Sequence, residues 1–143
     1  MIRGGQVPVG TTPPTTAPAY LHTDLHSAIE RISSSDVPEA FVIGGTSVYR
    51  DVLALPPGSQ STFVDRILLT RIVSPPFGEC DMFMPDFQKD TTLVDGVRYE
   101  WKRATHMNLQ TWVGSDVPEG VQEQNGIEYE FQMWIRPGTQ QCQ

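Results

Sequence analysis

The chain has 143 residues and a formal net charge of −7, with a sequence pI near 4.8. This length fits a single domain, and the acidic balance argues against a nucleic-acid-binding surface, which needs clustered Lys and Arg. No apolar run approaches the length of a membrane span, and Cys80 and Cys142 indicate neither a zinc motif nor a disulfide framework. We therefore expect a soluble cytoplasmic protein, with mitochondria as the open alternative.

A flexible segment and a helix are predicted first along the chain. Residues 1–19 are rich in Gly, Pro and Thr and have no periodic pattern, which indicates a flexible tail or loop. A helix is predicted from Asp24, with either Thr23 or Asp24 as its N-cap and Ser33-Ser34-Ser35 at its end. Its apolar positions recur at helical spacing on one face: Leu25, Ala28, Ile29 and Ile32.

A strand, a glycine turn and a second helix are predicted next. The apolar run from Ala40 to Ile43 indicates a strand buried on both faces of a parallel sheet. Gly44-Gly45 then lets the backbone turn sharply and approach a ligand. Thr46 and Ser47 are the expected caps of a helix that continues to about Leu55. Such a turn suits an anion, for example the phosphates of a dinucleotide, but the same residues also suit a plain corner.

The rest of the chain predicts strands separated by a long loop. A second apolar strand covers Asp65 to Val73, and the segment from Ser74 to Asp95 is mostly loop. Short strands are expected at residues 97–105 and 109–113. The clearest strand covers Ile127 to Ile135, because apolar and polar residues alternate there, as in an antiparallel strand with one face in water.

Four segments follow one another along the chain: Val42-Ile43-Gly44-Gly45-Thr46-Ser47-Val48-Tyr49, then Ile67-Leu68-Leu69-Thr70-Arg71-Ile72, then Glu79-Cys80-Asp81-Met82-Phe83-Met84-Pro85, and finally Val121-Gln122-Glu123-Gln124-Asn125-Gly126-Ile127-Glu128-Tyr129-Glu130-Phe131. In this order and spacing they resemble the carboxyl-terminal half of dihydrofolate reductase. The resemblance runs from about Tyr20 to Arg136, and four ordered motifs are far more specific than any one of them.

The resemblance implies an α/β fold, a partial dihydrofolate-reductase-like domain at residues 20–136. Residues 1–19 precede it as the flexible segment, and residues 137–143 follow it as a polar tail. We expect the family's amino-terminal half to be missing. The mixed sheet then keeps the last three strands, the final one antiparallel, with two flanking helices. The strand at Phe41 loses its neighbour, so we expect an unpaired sheet edge there and self-association through it.

The family reduces dihydrofolate to tetrahydrofolate with NADPH, so the resemblance implies an oxidoreductase of folate and one-carbon metabolism. Three residues match substrate-binding positions of the family. Ile43 would bind the pterin through its carbonyl and Thr70 through its hydroxyl, and Tyr49 would lie beside the nicotinamide and the pterin. Tyr49 is equally compatible with a core aromatic, and Thr70 with an ordinary strand residue. Six consecutive residues match cofactor-binding positions of the family. Gly44 and Gly45 match a glycine pair with a cis peptide, and Thr46, Ser47 and Val48 match residues whose backbone N–H groups meet the diphosphate. Tyr49 is the sixth.

The chain also departs from the family. Asp81 matches an aspartate that holds a mobile active-site loop closed, but that loop is absent here. The family's next residue is threonine, whereas Met82 cannot donate a hydrogen bond. Thr23 stands where arginine is common near the 2′-phosphate of NADPH, and Arg3 cannot be aligned. No Asp or Glu matches the catalytic carboxylate, so we predict no catalytic residue in this chain and no activity of the chain alone.

Two other functions stay open, and a metal site is set aside. One is a non-catalytic fragment or pairing module that acts only with a complementary amino-terminal half. The other is the related reductase domain of riboflavin biosynthesis, which shares the fold and a Gly-Gly turn, although Thr70 and the final strand argue against it. His22 and His26 are four residues apart, but His22 precedes the helix and no third ligand stands nearby, so we predict no metal.

Overall fold

The computed structural model describes residues 19–35, 39–57 and 63–140. The predicted flexible segment covers residues 1–19. Of these, residues 1–18 lie outside the described residues, and Ala19 is exposed. Among the helices of the described residues, none is long and apolar enough to cross a membrane.

Two helices precede the first strand. Helix α1 covers Leu25–Ser33, and the Asp24 carboxylate caps it by accepting a hydrogen bond from the Ser27 N–H at 2.8 Å. Helix α2 covers Thr46–Leu53, and its N-cap is Gly45, which makes no side-chain cap. The prediction that Thr46 and Ser47 cap this helix is therefore wrong. The chain enters the helix directly from the glycine turn, so both residues lie inside its first turn.

The larger sheet is built around one long antiparallel pair. Strand β1 covers Arg66–Ser74 and pairs with β6, Ile127–Ile135, with Thr70 directly opposite Phe131. The prediction for β6 is confirmed at both ends. Two short strands pair with the other edge of β6: β5, Gln122–Gln124, at its start, and β4, Lys102–Arg103, at its end.

A second, smaller sheet has the order β2-β3-β7. Strands β2, Thr91–Val94, and β3, Val97–Glu100, form a hairpin, and β7, Gly138–Gln140, adds to β3. A 3₁₀ turn at Phe87–Lys89 precedes it. The predicted loop from Ser74 to Asp95 thus contains one strand, and the predicted polar tail at 137–143 contributes another.

The predicted strand at Ala40 to Ile43 is not formed. The segment is extended, but no strand of the described residues pairs with it, and Phe41, Val42 and Ile43 are 55%, 42% and 91% exposed. A strand requires partners for its N–H and C=O groups, and apolar sequence alone does not supply them. All strand pairs of the described residues are antiparallel, and the unpaired sheet edge lies at β1 instead of Phe41.

Residues 109–113, predicted as a strand, belong to helix α3, His106–Val113. Thr105 caps it, accepting a hydrogen bond from the Asn108 N–H at 3.2 Å, and the left-handed Gly114 ends it. The described chain therefore has three α-helices where two were expected. The capping threonine and the glycine eight residues after the first helical position are the start and stop signals that the prediction overlooked.

The core lies between α2 and the larger sheet. Its buried side chains are Val52 and Leu53 from α2, Ile67 from β1, Phe87 and Trp101. The Phe87 ring meets the rings of Trp101 and Trp134 edge-on, with centroids 5.7 and 5.5 Å apart. These rings pack in one cluster with Val52 and Leu53, so the core attaches the carboxyl-terminal part of α2 to the larger sheet.

Candidate functional site

The glycine turn is shaped by Gly44 and Tyr49. The Gly44-Gly45 peptide is cis, as the resemblance implies, and Gly44 has φ +114°, a conformation that other residues rarely adopt. A Cβ on Gly44 would lie 3.3 Å from the Tyr49 Oη. The half-buried Tyr49 ring therefore packs directly against the turn, and glycine is the residue that fits there.

The other side of the turn is open. Gly45 has an ordinary φ of −84°, and a Cβ placed on it would meet nothing within 4 Å. The first hydrogen bond of α2 runs from the Tyr49 N–H to the Gly45 carbonyl at 2.9 Å. The N–H groups of Thr46, Ser47 and Val48 precede that bond, and no side chain of the described residues caps them. Open space and uncapped N–H groups at a helix N-terminus fit the diphosphate of a dinucleotide.

Thr70 lines a shallow cavity of about 250 Å³ on the larger sheet. The cavity is mostly apolar, with a hydroxyl, two side-chain amides and a phenol among its groups. Its lining residues come from β1, β5, β6 and the turn between β5 and β6: Thr70, Ile72, Gln124, Asn125, Ile127 and Tyr129. The structure brings Gly44 and Tyr49 together, but none of the turn residues lines this cavity.

The sheet register decides which way Thr70 faces. Residues directly opposite each other in an antiparallel pair share a face. Thr70 shares its face with Phe131, its partner across the ladder, whereas Ile67 shares the opposite face with Trp134, which packs on the core. Thr70 therefore points away from the core beneath α2, and its 250 Å³ cavity lies on the far face of the sheet.

Two further predicted residues, Ile43 and Asp81, do not line the cavity at Thr70. Ile43 is 91% exposed, with its backbone beside the turn. Asp81 is exposed in the loop after β1, next to Met82, which is 66% exposed. In residues 63–140, no hydrogen bond or ion pair involves the Asp81 side chain. The structure therefore leaves Asp81 away from the cavity and the turn.

An acidic residue that the sequence analysis did not single out is Glu130. Its carboxylate accepts a hydrogen bond from Arg103 Nη2 at 3.0 Å, contacts Gln132 Nε2 and lies 3.9 Å from Arg71 Nη1. The hydrogen bonds from Arg103 and then Gln132 hold the pKa of Glu130 below its ordinary value of 4.5. The register places it on the face opposite Thr70. Glu130 is thus an ionised structural partner and does not face the cavity.

Comparison with known proteins gives a consistent set of relatives. No family model matches the chain. It is 35% identical to the dihydrofolate reductase of Cryptococcus neoformans over 94% of the chain and 62% of that protein. It is also 35% identical to that of Pneumocystis carinii, over 73% of the chain, and 27% identical to that of Aedes albopictus, over 78%.

The chain spans 62% of the Cryptococcus relative and less than half of each of the other two, 45% and 49%. The relatives share one name, the sequence motifs match in order, and the described helices and antiparallel sheets are consistent with that fold. This chain therefore carries a dihydrofolate-reductase-like domain.

Proposed function

We propose that this chain supplies the cofactor-binding turn and one wall of the substrate pocket of a dihydrofolate reductase, the enzyme that reduces dihydrofolate to tetrahydrofolate with NADPH. The observation that carries the proposal is the Gly44-Gly45 turn. It leads into an uncapped helix N-terminus and leaves open space over Gly45. The identity to dihydrofolate reductases supports it.

Each residue of the proposed site has a distinct task. The backbone N–H groups of Thr46, Ser47 and Val48 bind the diphosphate, where the positive end of α2 favours anions. Tyr49 lies beside the nicotinamide, and the Ile43 carbonyl accepts a hydrogen bond from the pterin. Thr70 offers its hydroxyl to the pterin network from a separate cavity on the larger sheet, which none of the turn residues lines. NADPH, when bound, supplies the hydride, and the protein supplies position and electrostatics.

We also propose that the chain by itself does not complete the reaction. Protonation of the pterin needs a carboxyl group near its ring nitrogen, and among the described residues no carboxylate lines the cavity that contains Thr70. The partly buried carboxylate of Glu130 faces the other side of the sheet and is held ionised by hydrogen bonds from Arg103 and then Gln132. The positions available beside the pterin supply a carbonyl, a hydroxyl and a phenol.

A second candidate function is a non-catalytic module that pairs with a complementary chain. The observation in its favour is the free edge of β1, which pairs with β6 on one side only among the described strands. An unpaired edge of nine residues is a template for another strand. The two functions differ in one respect, because only the reductase requires specific binding of NADPH at α2.

The test is NMR titration of the isotope-labelled 143-residue chain with NADPH. We expect the amide signals of Thr46, Ser47 and Val48 to shift, because their N–H groups meet the diphosphate. Gly45→Val fills the open space over the turn, and we expect it to weaken binding at least about tenfold, equivalent to losing one charge-assisted hydrogen bond.

The matched control is Gly78→Val, since a Cβ on Gly78 also meets nothing within 4 Å but lies in the loop after β1. It is expected to bind NADPH like the parent chain. Absence of shifts at α2 in the parent chain, or equal binding by Gly45→Val, would overturn the assignment of the turn to the cofactor.

A further inference from the structure

The extended segment before the glycine turn is held by a contact from α3. The Phe41 ring meets the Trp112 ring edge-on, with centroids 6.1 Å apart and an interplanar angle of 64°. Phe41 lies three residues before Gly44, in the extended segment that leads into the turn. In the described residues this segment has no strand partner, and a ladder therefore does not hold it.

Trp112 also contacts the first residue of β1. The Arg66 guanidinium carbon lies 5.4 Å from the centre of the Trp112 ring, within the range of a cation–π contact. Arg66 is the first residue of β1 and also pairs with Asp65. The Trp112 ring thus links the segment before the turn to the start of the central strand pair.

Helix α3 gives Trp112 a rigid base. The helix is capped at both ends, by Thr105 and by the left-handed Gly114, and its Leu109 side chain is buried. The Ala104 N–H, next to the capping threonine, donates to the Met133 carbonyl of β6 at 2.9 Å. A side chain on a helix anchored in this way can hold a neighbouring segment in place.

We propose that Trp112 is a positioning residue for the cofactor turn, acting through Phe41. Its functional consequence rests on the proposed function, because it matters for NADPH only if the turn binds NADPH. Trp112 touches no reacting group. It restricts the backbone from Phe41 to Gly44, so that the N–H groups at the start of α2 and the carbonyl of Ile43 keep one relative position.

The test measures backbone motion and NADPH binding separately. In the ligand-free parent chain, we expect amide order parameters for Val42 and Ile43 near the rigid value of about 0.85, and values below about 0.6 in Trp112→Ala. Trp112→Phe keeps an aromatic edge-to-face contact and is expected to restore them. Met107→Ala is the matched control, since Met107 lies on the same helix and is 75% exposed.

A second variant shows whether an effect of Trp112→Ala comes from unfolding of α3. Phe41→Leu leaves the helix intact, removes the ring from the other partner, and is expected to loosen Val42 and Ile43 to the same extent. The double variant should loosen them no further, because both changes remove one contact. Unchanged order parameters in Phe41→Leu and Trp112→Ala would overturn the positioning role.

The NADPH titration then separates this inference from the proposed function. We expect Trp112→Ala to weaken NADPH binding about five- to tenfold and Trp112→Phe to stay within about twofold of the parent, corresponding to about 1 kcal/mol for the lost aromatic contact. A parent chain with a rigid, Trp112-dependent turn and no NADPH shifts would contradict the cofactor assignment alone. Normal NADPH binding by a loosened Trp112→Ala would contradict the inference.

Discussion

Two features of its position favour glycine at residue 44 over any residue with a side chain. Its φ of +114° is rare for a residue with a side chain, and a Cβ would approach the Tyr49 Oη to 3.3 Å. Gly45, the next residue, is under neither constraint, because its φ is −84° and the space around it is free. The two glycines thus have different tasks. Gly44 allows the backbone conformation of the turn, and Gly45 leaves space for a ligand above it.

This difference gives the first prediction. Gly44→Ala should lower the free energy of unfolding by about 1–3 kcal/mol, the typical cost of an unfavourable backbone conformation. Gly45→Ala should leave it unchanged or raise it by up to about 1 kcal/mol, because alanine restricts the unfolded chain. Urea denaturation of the two variants measures both values. Equal stability of Gly44→Ala and the parent chain would show that the turn does not require glycine.

Glu130 gives a prediction in pH. Its pKa is lower in the folded chain than its ordinary value of 4.5, because Arg103 and then Gln132 hydrogen-bond the carboxylate. Its side chain is 16% exposed. A lowered folded-state pKa means that the ionised carboxylate stabilises the fold above about pH 4.5, and that this contribution is lost as the pH falls through the folded value.

We therefore expect the melting temperature of the parent chain to fall as the pH drops below about 4.5, and this fall to be shallower in Glu130→Gln. Glu123→Gln is the control, because Glu123 is exposed on β5 of the same sheet. Thermal melts followed by circular dichroism over this pH range provide the comparison. Identical pH profiles for Glu130→Gln and the parent would contradict the structural role given to Glu130.

At the level of elements, α1 was predictable from its ends, whereas part of α3 was predicted as a strand and the predicted strand at Phe41 does not form. Asp24 and Ser34 mark the two ends of α1 as expected. Two hairpin turns carry clear signals that the sequence analysis overlooked: Asp95-Gly96 between β2 and β3, and Asn125-Gly126 between β5 and β6, all four residues with positive φ. The run at Phe41 failed as a strand because pairing depends on a partner elsewhere in the fold, which local sequence does not reveal.

The free edge of β1 gives a prediction about association. Leu68, Ile72 and Val73 on this strand are 45%, 44% and 46% exposed, and one edge of the ladder has no partner among the described strands. We expect the purified chain to self-associate in light scattering, more strongly at high salt, since screening reduces the repulsion between chains of charge −7.

The matched pair of variants separates the edge from overall charge. Ile72→Lys places a charge on the edge strand and should reduce self-association. Met107→Lys adds the same charge on α3, where the side chain is 75% exposed, and should change it less. A monomeric parent chain at high salt, or equal effects of the two lysines, would show that β1 is not the associating surface.

At the scale of the whole molecule, the two sheets meet at Arg136. Its side chain is 1% exposed; Nη2 donates to the Thr92 Oγ1 at 2.6 Å and to Asp90 Oδ2 at 3.2 Å, and the guanidinium carbon lies 5.5 Å from the centre of the Trp101 ring. The sequence indicated the α/β class but not a second sheet, because β2 and β7 are only four and three residues long and β7 pairs with β3 from a distant part of the chain.

The parts of the candidate site were not equally predictable from the sequence. The turn from Gly44 to Tyr49 is a continuous motif, so its geometry follows from local sequence. The environment of Thr70 depends on the register of β1 with β6 and on the Asn125 turn, which are distant along the chain. The face of Glu130 also follows from that register, so its separation from Thr70 became visible only in the fold.

The most direct test of the account is an NADPH oxidation assay with dihydrofolate, followed by the near-ultraviolet absorbance of NADPH. The purified 143-residue chain is assayed alone and then mixed with the part of the Cryptococcus neoformans dihydrofolate reductase that it does not match. We predict no dihydrofolate-dependent oxidation by the chain alone, because no carboxylate of the described residues lines the cavity at Thr70. We predict turnover on mixing, because the family's catalytic carboxylate matches no Asp or Glu of this chain and is therefore expected in the added part. Dihydrofolate-dependent turnover by the chain alone would contradict the account, because an acidic residue of this chain would then serve as the proton donor.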